Sequence, residues 1–153
     1  MPKPAKLLFI LTDGGRACFV ERSAETGRFV TFEELDHTER LRALRQELRA
    51  SPPARAFSSA SPRRSSVGAE DYIRPAKEAF MGEVAERAGA LVRTRGLDGV
   101  VLAAPTRLIG PLRVRVARCA RVTGAIRKDL TKAPDHDLGG WLNEAARSPL
   151  LSL

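Results

Sequence analysis

The stretch VVLAAPTRLIGPLR, residues 100–113, decides how this chain folds. Val100 to Ala104 is a short continuous apolar run, the pattern of a strand buried on both faces. Pro105 ends it, and Ile109, Leu112, Val116 and Cys119 then recur at helical spacing. At 100° per residue these four and Leu108 share an arc of about 100°, with Arg113, Arg115, Arg118 and Arg121 on the opposite side. Gly110 and Pro111 are expected in the first turn of that helix, where proline is tolerated. In open α/β sheets ligands sit beyond the carboxyl ends of strands. The lip Pro105-Thr106-Arg107 is therefore a candidate site edge, with Arg107 as its contact residue.

Working outward, residues 6–12 (KLLFILT) form a strand that stops at the turn signal Asp13-Gly14-Gly15. RACFVE at 16–21 alternates as a second strand, with Ala17, Phe19 and Glu21 on one face and Cys18 and Val20 on the other. SAETG at 23–27 turns the chain into a third strand at 28–35, which completes an antiparallel meander. Asp36 with Glu39 three residues on opens a helix carrying Leu41, Leu44 and Leu48. Residues 51–70 hold three prolines and six serines without periodicity, and are read as a loop. A helix follows from Ile73 to Arg95, lined by Phe80, Val84, Ala88 and Leu91. After the strand at 100–104 and its helix, residues 121–129 read as a last strand with Val122, Gly124 and Ile126 on one face. Pro134 to Ala146 closes the chain as a helix with Leu138, Trp141, Leu142 and Ala145 inward.

That order predicts one domain over residues 1–153: an α/β fold of three layers, its mixed sheet opened by a three-stranded meander. Crossovers between parallel strands are expected to be right-handed. Three antiparallel strands followed by alternating helix and strand is the element order of ribonuclease-H-like folds, and fold alone does not give function.

The chain of 153 residues carries a net charge of +8 and a pI near 10.5. The excess is uneven: −1 over residues 1–36, +4 over 37–75, +1 over 76–112 and +4 over 113–153. Localised basic excess points to an anionic partner, RNA first among them. Six Phe, one Tyr and one Trp leave little to stack on bases. The longest apolar run, Leu7 to Leu11, is too short to cross a membrane, and MPKPAK with that run makes no signal-peptide core. The expected location is the cytoplasm, without integral membrane association. Cys18 and Cys119 stand apart from each other and from both histidines, so no metal site or disulfide is expected; both are read as small buried apolar residues.

Catalytic constellations stay incomplete. A two-metal nuclease of this element order needs carboxylates on several strand ends and helices. Asp13 ends the first strand, but the fourth ends Ala104-Pro105-Thr106 with no acid, and Glu78, Glu83 and Glu86 have no partner beyond Asp13. Asp13-Gly14-Gly15 reads as a hairpin turn rather than a phosphate loop. His37 and His136 have no nucleophile motif to serve, and His136 is expected at the surface.

RPAKEAF at 74–80, VVLAAPTRLIGPLR at 100–113 and KDLTKAP at 128–134 are similar to signature blocks of the bacterial host-attachment proteins, described as "protein required for attachment to host cells". TDGGRACFVE at 12–21 looks like the family's first block. ARAFSS at 54–59 resembles its Gly-Arg-x-Phe-x-Ser loop, with Ala54 where glycine is usual. The positions that carry this resemblance are Asp13, Gly14, Lys77, Phe80, Pro105, Arg107, Gly110 and the run Lys128-Asp129-Leu130-Thr131. The family's fold is thought to resemble the middle domain of archaeal and eukaryotic release factors, itself ribonuclease-H-like. Release factors use a Gly-Gly-Gln loop for hydrolysis, and this chain has only Gly139-Gly140-Trp141.

The kinship implies contact with ribosome, tRNA or other RNA by a non-enzymatic domain, with Arg55, Arg63, Arg64 and Arg107 on phosphate and no cofactor. Two alternatives stand beside it. One is a hydrolase or nuclease with a degenerate site at the carboxyl edge of the sheet, using Asp13, Lys77, Arg107 and Lys128-Asp129. The other is a factor required only indirectly for surface attachment.

Overall fold

The protein was analysed as a computed structural model, which describes residues 5–50 and 62–147. Its elements in chain order are β1 (Leu7–Thr12), β2 (Arg16–Arg22), β3 (Phe29–Asp36), α1 (Thr38–Ala50), α2 (Pro62–Arg95), β4 (Gly99–Ala103), α3 (Thr106–Ala117), β5 (Val122–Ile126), a 3-10 turn at Asp135–Asp137 and α4 (Gly139–Arg147). The five strands form one mixed sheet in the order β3-β2-β1-β4-β5. β1 pairs antiparallel with β2 and parallel with β4, and β5 runs parallel to β4. β1 and β4 are buried along their whole length, as two central strands covered on both faces must be.

Alternation of side chains about the sheet builds two cores. On one face Leu8, Ile10, Phe19 and Leu102 meet Phe80, Val84 and Leu91 of α2 and Ile109, Leu112 and Val116 of α3. On the other, Phe9, Leu11, Val20 and Val101 meet Leu130 and the Leu138 and Leu142 pair that begins α4. The result is helices, sheet, helix in three layers, an α/β architecture.

Several expectations change. Residues 62–70 are not loop: α2 begins at Pro62 and runs 34 residues. Proline suits a first helical position because its missing N–H has no partner there, and lack of an apolar period does not prevent a helix from forming. α3 opens at Thr106, which moves Gly110 and Pro111 from the first turn into the second. Pro111 cannot donate to the carbonyl four residues back, that of Arg107. β5 does not keep Val122, Gly124 and Ile126 on one face. Val100 pairs with Val122 but Val101 with Gly124, so Thr123 is an extra residue that reverses the alternation; Val122 packs with the α2/α3 core and Ile126 with the other. Gly99 lies against that bulge, its missing Cβ only 2.5 Å from the Thr123 methyl group.

Two side chains expected inside are outside. α3 ends at Ala117, so the period that points Cys119 inward has already stopped and the thiol is exposed. Trp141 is 44% exposed; Lys128 Nζ lies 4.8 Å from its ring centre, a contact that suits a partly wet indole. Cys18 is buried as expected, and burial pushes its thiol up to about 11. His136 is at the surface, 3.5 Å from the carboxylate of Asp137.

Phe80 is the centre of the larger core and fully buried. Phe80→Ala is expected to cost about 3–5 kcal/mol, read by urea unfolding, whereas Tyr72→Ala at an exposed position should stay within about 0.5 kcal/mol. A second prediction concerns the bond that ties β3 to α2. Arg87 Nη2 donates to Glu33 Oε1 at 2.6 Å, and this bond holds the Glu33 carboxyl below its ordinary value. A carboxyl depressed in the folded state stabilises above its unfolded pKa, and that contribution is lost as pH falls through the folded value. Arg87→Gln should therefore lower Tm at pH 7, with the gap to the native protein closing below about pH 4.

Candidate functional site

The turn after β1 satisfies its own polar groups. Thr12 Oγ1 donates to the Arg16 carbonyl at 2.7 Å and accepts from the Gly14 amide at 3.2 Å. Asp13 Oδ1 accepts from the amides of Gly15 and Arg16, both at 2.9 Å. Gly14 has φ +100°, a left-handed conformation that side chains resist, and the position of its missing Cβ lies 3.0 Å from Leu108 Cδ1. The β1–β2 turn and the first turn of α3 are thereby packed on each other. Asp13 acts here as the cap of a turn, the role its place in a hairpin implies.

His37 ties the next wall on. Its amide donates to the Gly15 carbonyl at 2.7 Å, its Nε2 lies 3.0 Å from Glu83 Oε2 of α2, and its ring meets Phe80 edge-on at 5.0 Å. The Asp36 carboxylate accepts from the Thr38 amide at 2.8 Å, and those bonds hold its pKa down. α1 is so placed that Leu41 packs beside Gly15. Arg45, one turn beyond Leu41, shares its face.

These contacts enclose a cleft of about 230 Å³ at the carboxyl ends of β1 and β4. Asp13, Gly14, Arg45, Lys77, Arg107 and Leu108 line it, from the β1–β2 turn, α1, α2 and the start of α3. Arg45 and Lys77 are half-buried and Arg107 is exposed. No hydrogen bond or ion pair joins the Arg45 or Arg107 side chain to another described residue. Three cations against one carboxylate, half of which is committed to backbone amides, is a seat for an oxyanion such as phosphate. The N-terminal turn of α3 adds a favourable dipole.

Four of the positions marked in the sequence thus meet in one place: Asp13, Gly14, Lys77 and Arg107. Pro105 starts the turn into α3, its carbonyl accepting from the Leu108 amide at 2.9 Å, and Phe80 is buried in the core beside the His37 ring. The remaining positions lie elsewhere. Leu130 is core on the opposite face, Asp129 Oδ1 accepts from the Thr131 amide and hydroxyl at 2.9 and 2.6 Å, and Lys128 covers Trp141. Gly110 is exposed with nothing within 4 Å of an added Cβ. Arg55 lies outside the described residues; Arg63 and Arg64 fall in the first turn of α2, their side chains outside what the structure describes. Among the described residues no three His, Cys, Asp or Glu side chains converge as metal ligands would, and no helix is long and apolar enough to cross a membrane.

Arg45 was not singled out by the sequence, where it is one of several arginines on a short helix. Its only signal is its place four residues after the inward Leu41. A larger cavity of about 530 Å³ lies on the other face, lined in part by Arg16, Cys18, Glu34, Thr131 and Asp135. Its charges are largely spent on one another: Arg16 Nη2 donates to Glu34 at 2.8 Å, and the Thr31 amide and hydroxyl donate to Asp135 at 3.1 and 2.7 Å. Among the described residues, Arg16 Nε alone is a buried side-chain polar atom without a partner. The smaller cleft, where the Arg45 and Arg107 side chains have no partner among the described residues, is the stronger candidate.

Residues 8–142 match the family model described as "Protein required for attachment to host cells", and the chain belongs to that family. No curated protein matches it.

The geometry separates two glycines that the sequence alone treats alike. Gly14→Ala forces a side chain into a left-handed position against Leu108 and should cost about 1–3 kcal/mol. Gly110→Ala, in open space inside α3, should stabilise by about 0.5–1 kcal/mol. Urea midpoints of the two variants check both signs.

Proposed function

We propose that this host-attachment family protein is a non-enzymatic cytoplasmic domain that contacts RNA of the translation apparatus, ribosome or tRNA, and seats backbone phosphate in the cleft. The observation that carries the reading is the convergence of Arg45, Lys77 and Arg107 where β1 and β4 end. Guanidinium and ammonium groups brought together raise the local potential and attract phosphate. Phosphate contacts position a protein on nucleic acid without reading its sequence.

The strand order β3-β2-β1-β4-β5, with only β2 antiparallel to both neighbours, supports kinship with ribonuclease-H-like sheets and so with the release-factor middle domain. The chemistry at hand favours binding over hydrolysis. Asp13 is the single carboxylate in the cleft, and one of its oxygens is held by two amides. Gly139 and Gly140 begin α4 on the far face of the sheet, away from the cations of the cleft. The family's attachment label is then a distant consequence of a role in translation.

The test is a salt titration of the full chain against purified ribosomes and tRNA, with the Lys77→Ala/Arg107→Ala double variant in parallel. Binding is expected to weaken steeply with salt, and the variant's slope of log K on log salt should be smaller by about two, one for each phosphate contact removed. Binding indifferent to salt, or a variant that binds as the native chain does, would overturn the reading.

A further inference from the structure

From Gly99 to Lys128 the chain contains no Asp or Glu and seven Lys or Arg. That run is β4, α3 and β5, and its cations have no acid to answer them. The side chains of Arg107, Arg113, Arg115, Arg118 and Arg121 make no hydrogen bond or ion pair with another described residue. On the sheet and α2, by contrast, Arg16 pairs with Glu34, Arg87 with Glu33 and Arg95 with Glu21. Five unpaired arginines between residues 107 and 121, with no acid among them, concentrate positive charge on α3 and the turn that follows it.

Its arrangement is linear. Ile109, Leu112 and Val116 point α3 into the core, which turns Arg107, Val114 and Arg118 outward along one line. Arg107 and Arg118 are eleven residues apart, so they lie within about 20° of each other and about 16 Å apart along the axis. Arg115 flanks the line, its Nη1 lying 3.6 Å from the missing Cβ of Gly82 on α2. The line begins at Arg107, which is also the lip of the cleft.

Resting on the RNA reading of that cleft, we infer that the outer face of α3 is a rail for the backbone of base-paired RNA, running from the cleft to the C-terminal end of the helix. Single strands are held by aromatic side chains on which bases stack, and neither α3 nor the cleft lining contains one. Duplex RNA is held by shape and by phosphate and ribose contacts, which is what a row of guanidiniums offers. An anionic membrane fits less well, because an interfacial helix inserts a wide apolar face and here that face is core. Val114 is the one large apolar side chain that α3 exposes.

The experiment measures anisotropy of the full chain with a labelled RNA duplex of about 16 base pairs, the span of a compact duplex-binding domain. An oligo-uridine strand of equal length and phosphatidylserine vesicles serve as the alternative ligands. Three variants are compared: Arg115→Gln/Arg118→Gln on the rail, Lys77→Ala in the cleft, and Arg28→Gln/Lys132→Gln as an equal loss of charge at exposed positions elsewhere. The duplex is expected to bind more tightly than the strand. The rail variant should lose about tenfold in affinity and about two from the salt slope, while the Arg28/Lys132 control changes little. A rail variant no weaker than that control overturns the rail; if Lys77→Ala is then the weakened protein, the cleft reading still stands. Equal or tighter binding of oligo-uridine overturns the choice of base-paired RNA, and vesicle binding without duplex binding overturns both readings.

Discussion

The structure depends on the parallel pairing of β1 with β4, in a register that runs from Leu7 opposite Gly99 to Leu11 opposite Ala103. Two strands almost a hundred residues apart in the chain become neighbours at the centre of the sheet, and both must be apolar on both faces. Everything polar that each strand carries is displaced to its ends. Because the strands are parallel, their carboxyl ends open side by side, and the Asp13-Gly14-Gly15 turn meets the Pro105–Arg107 lip. The Gly14–Leu108 contact seals that meeting. A cleft at this edge follows from the pairing alone; its charge is set by what α1 and α2 bring to it.

Those helices bring cations while the turn keeps its own groups satisfied. Thr12 and Asp13 answer the backbone of residues 14–16, so the carboxylate is largely withdrawn from the cleft and Arg45, Lys77 and Arg107 prevail. His37 fastens the start of α1 to both the turn and α2, which gives the wall that carries Arg45 a fixed position. The opposite face is different in kind. There the KDLT block closes a loop around Asp129, buries Leu130 and lays Lys128 on Trp141, so a run that looks like a functional motif in sequence serves packing in the fold.

The parts legible from sequence were those with an uninterrupted pattern. The apolar runs at 7–11 and 100–104, the alternation of residues 16–21 and the Phe80-Val84-Ala88-Leu91 stripe each have one physical reading, and the structure follows them. Misreadings arose where a pattern stopped or slipped. The first turns of α2 are helical without any apolar period to mark them. The bulge at Thr123 reverses the faces of β5, and a single extra residue leaves no mark in composition. Cys119 lies beyond the end of α3, and Trp141 sits at the edge of a stripe whose Leu138, Leu142 and Ala145 are buried. The cleft was half visible: Asp13, Gly14, Lys77 and Arg107 were marked by resemblance, while their convergence needed the sheet order and Arg45 needed the docking of Leu41.

The central claim is that the cations at the carboxyl ends of β1 and β4, and not the larger cavity across the sheet, receive RNA. Amide chemical shifts of the isotopically labelled chain, followed by NMR as a short RNA duplex is added at low salt, test it most directly. The account predicts the largest changes at Gly14, Gly15, Arg107 and Leu108, continuing along α3 toward Arg118. Changes centred on Glu34, Thr131 and Asp135, or none at saturating RNA, would contradict it.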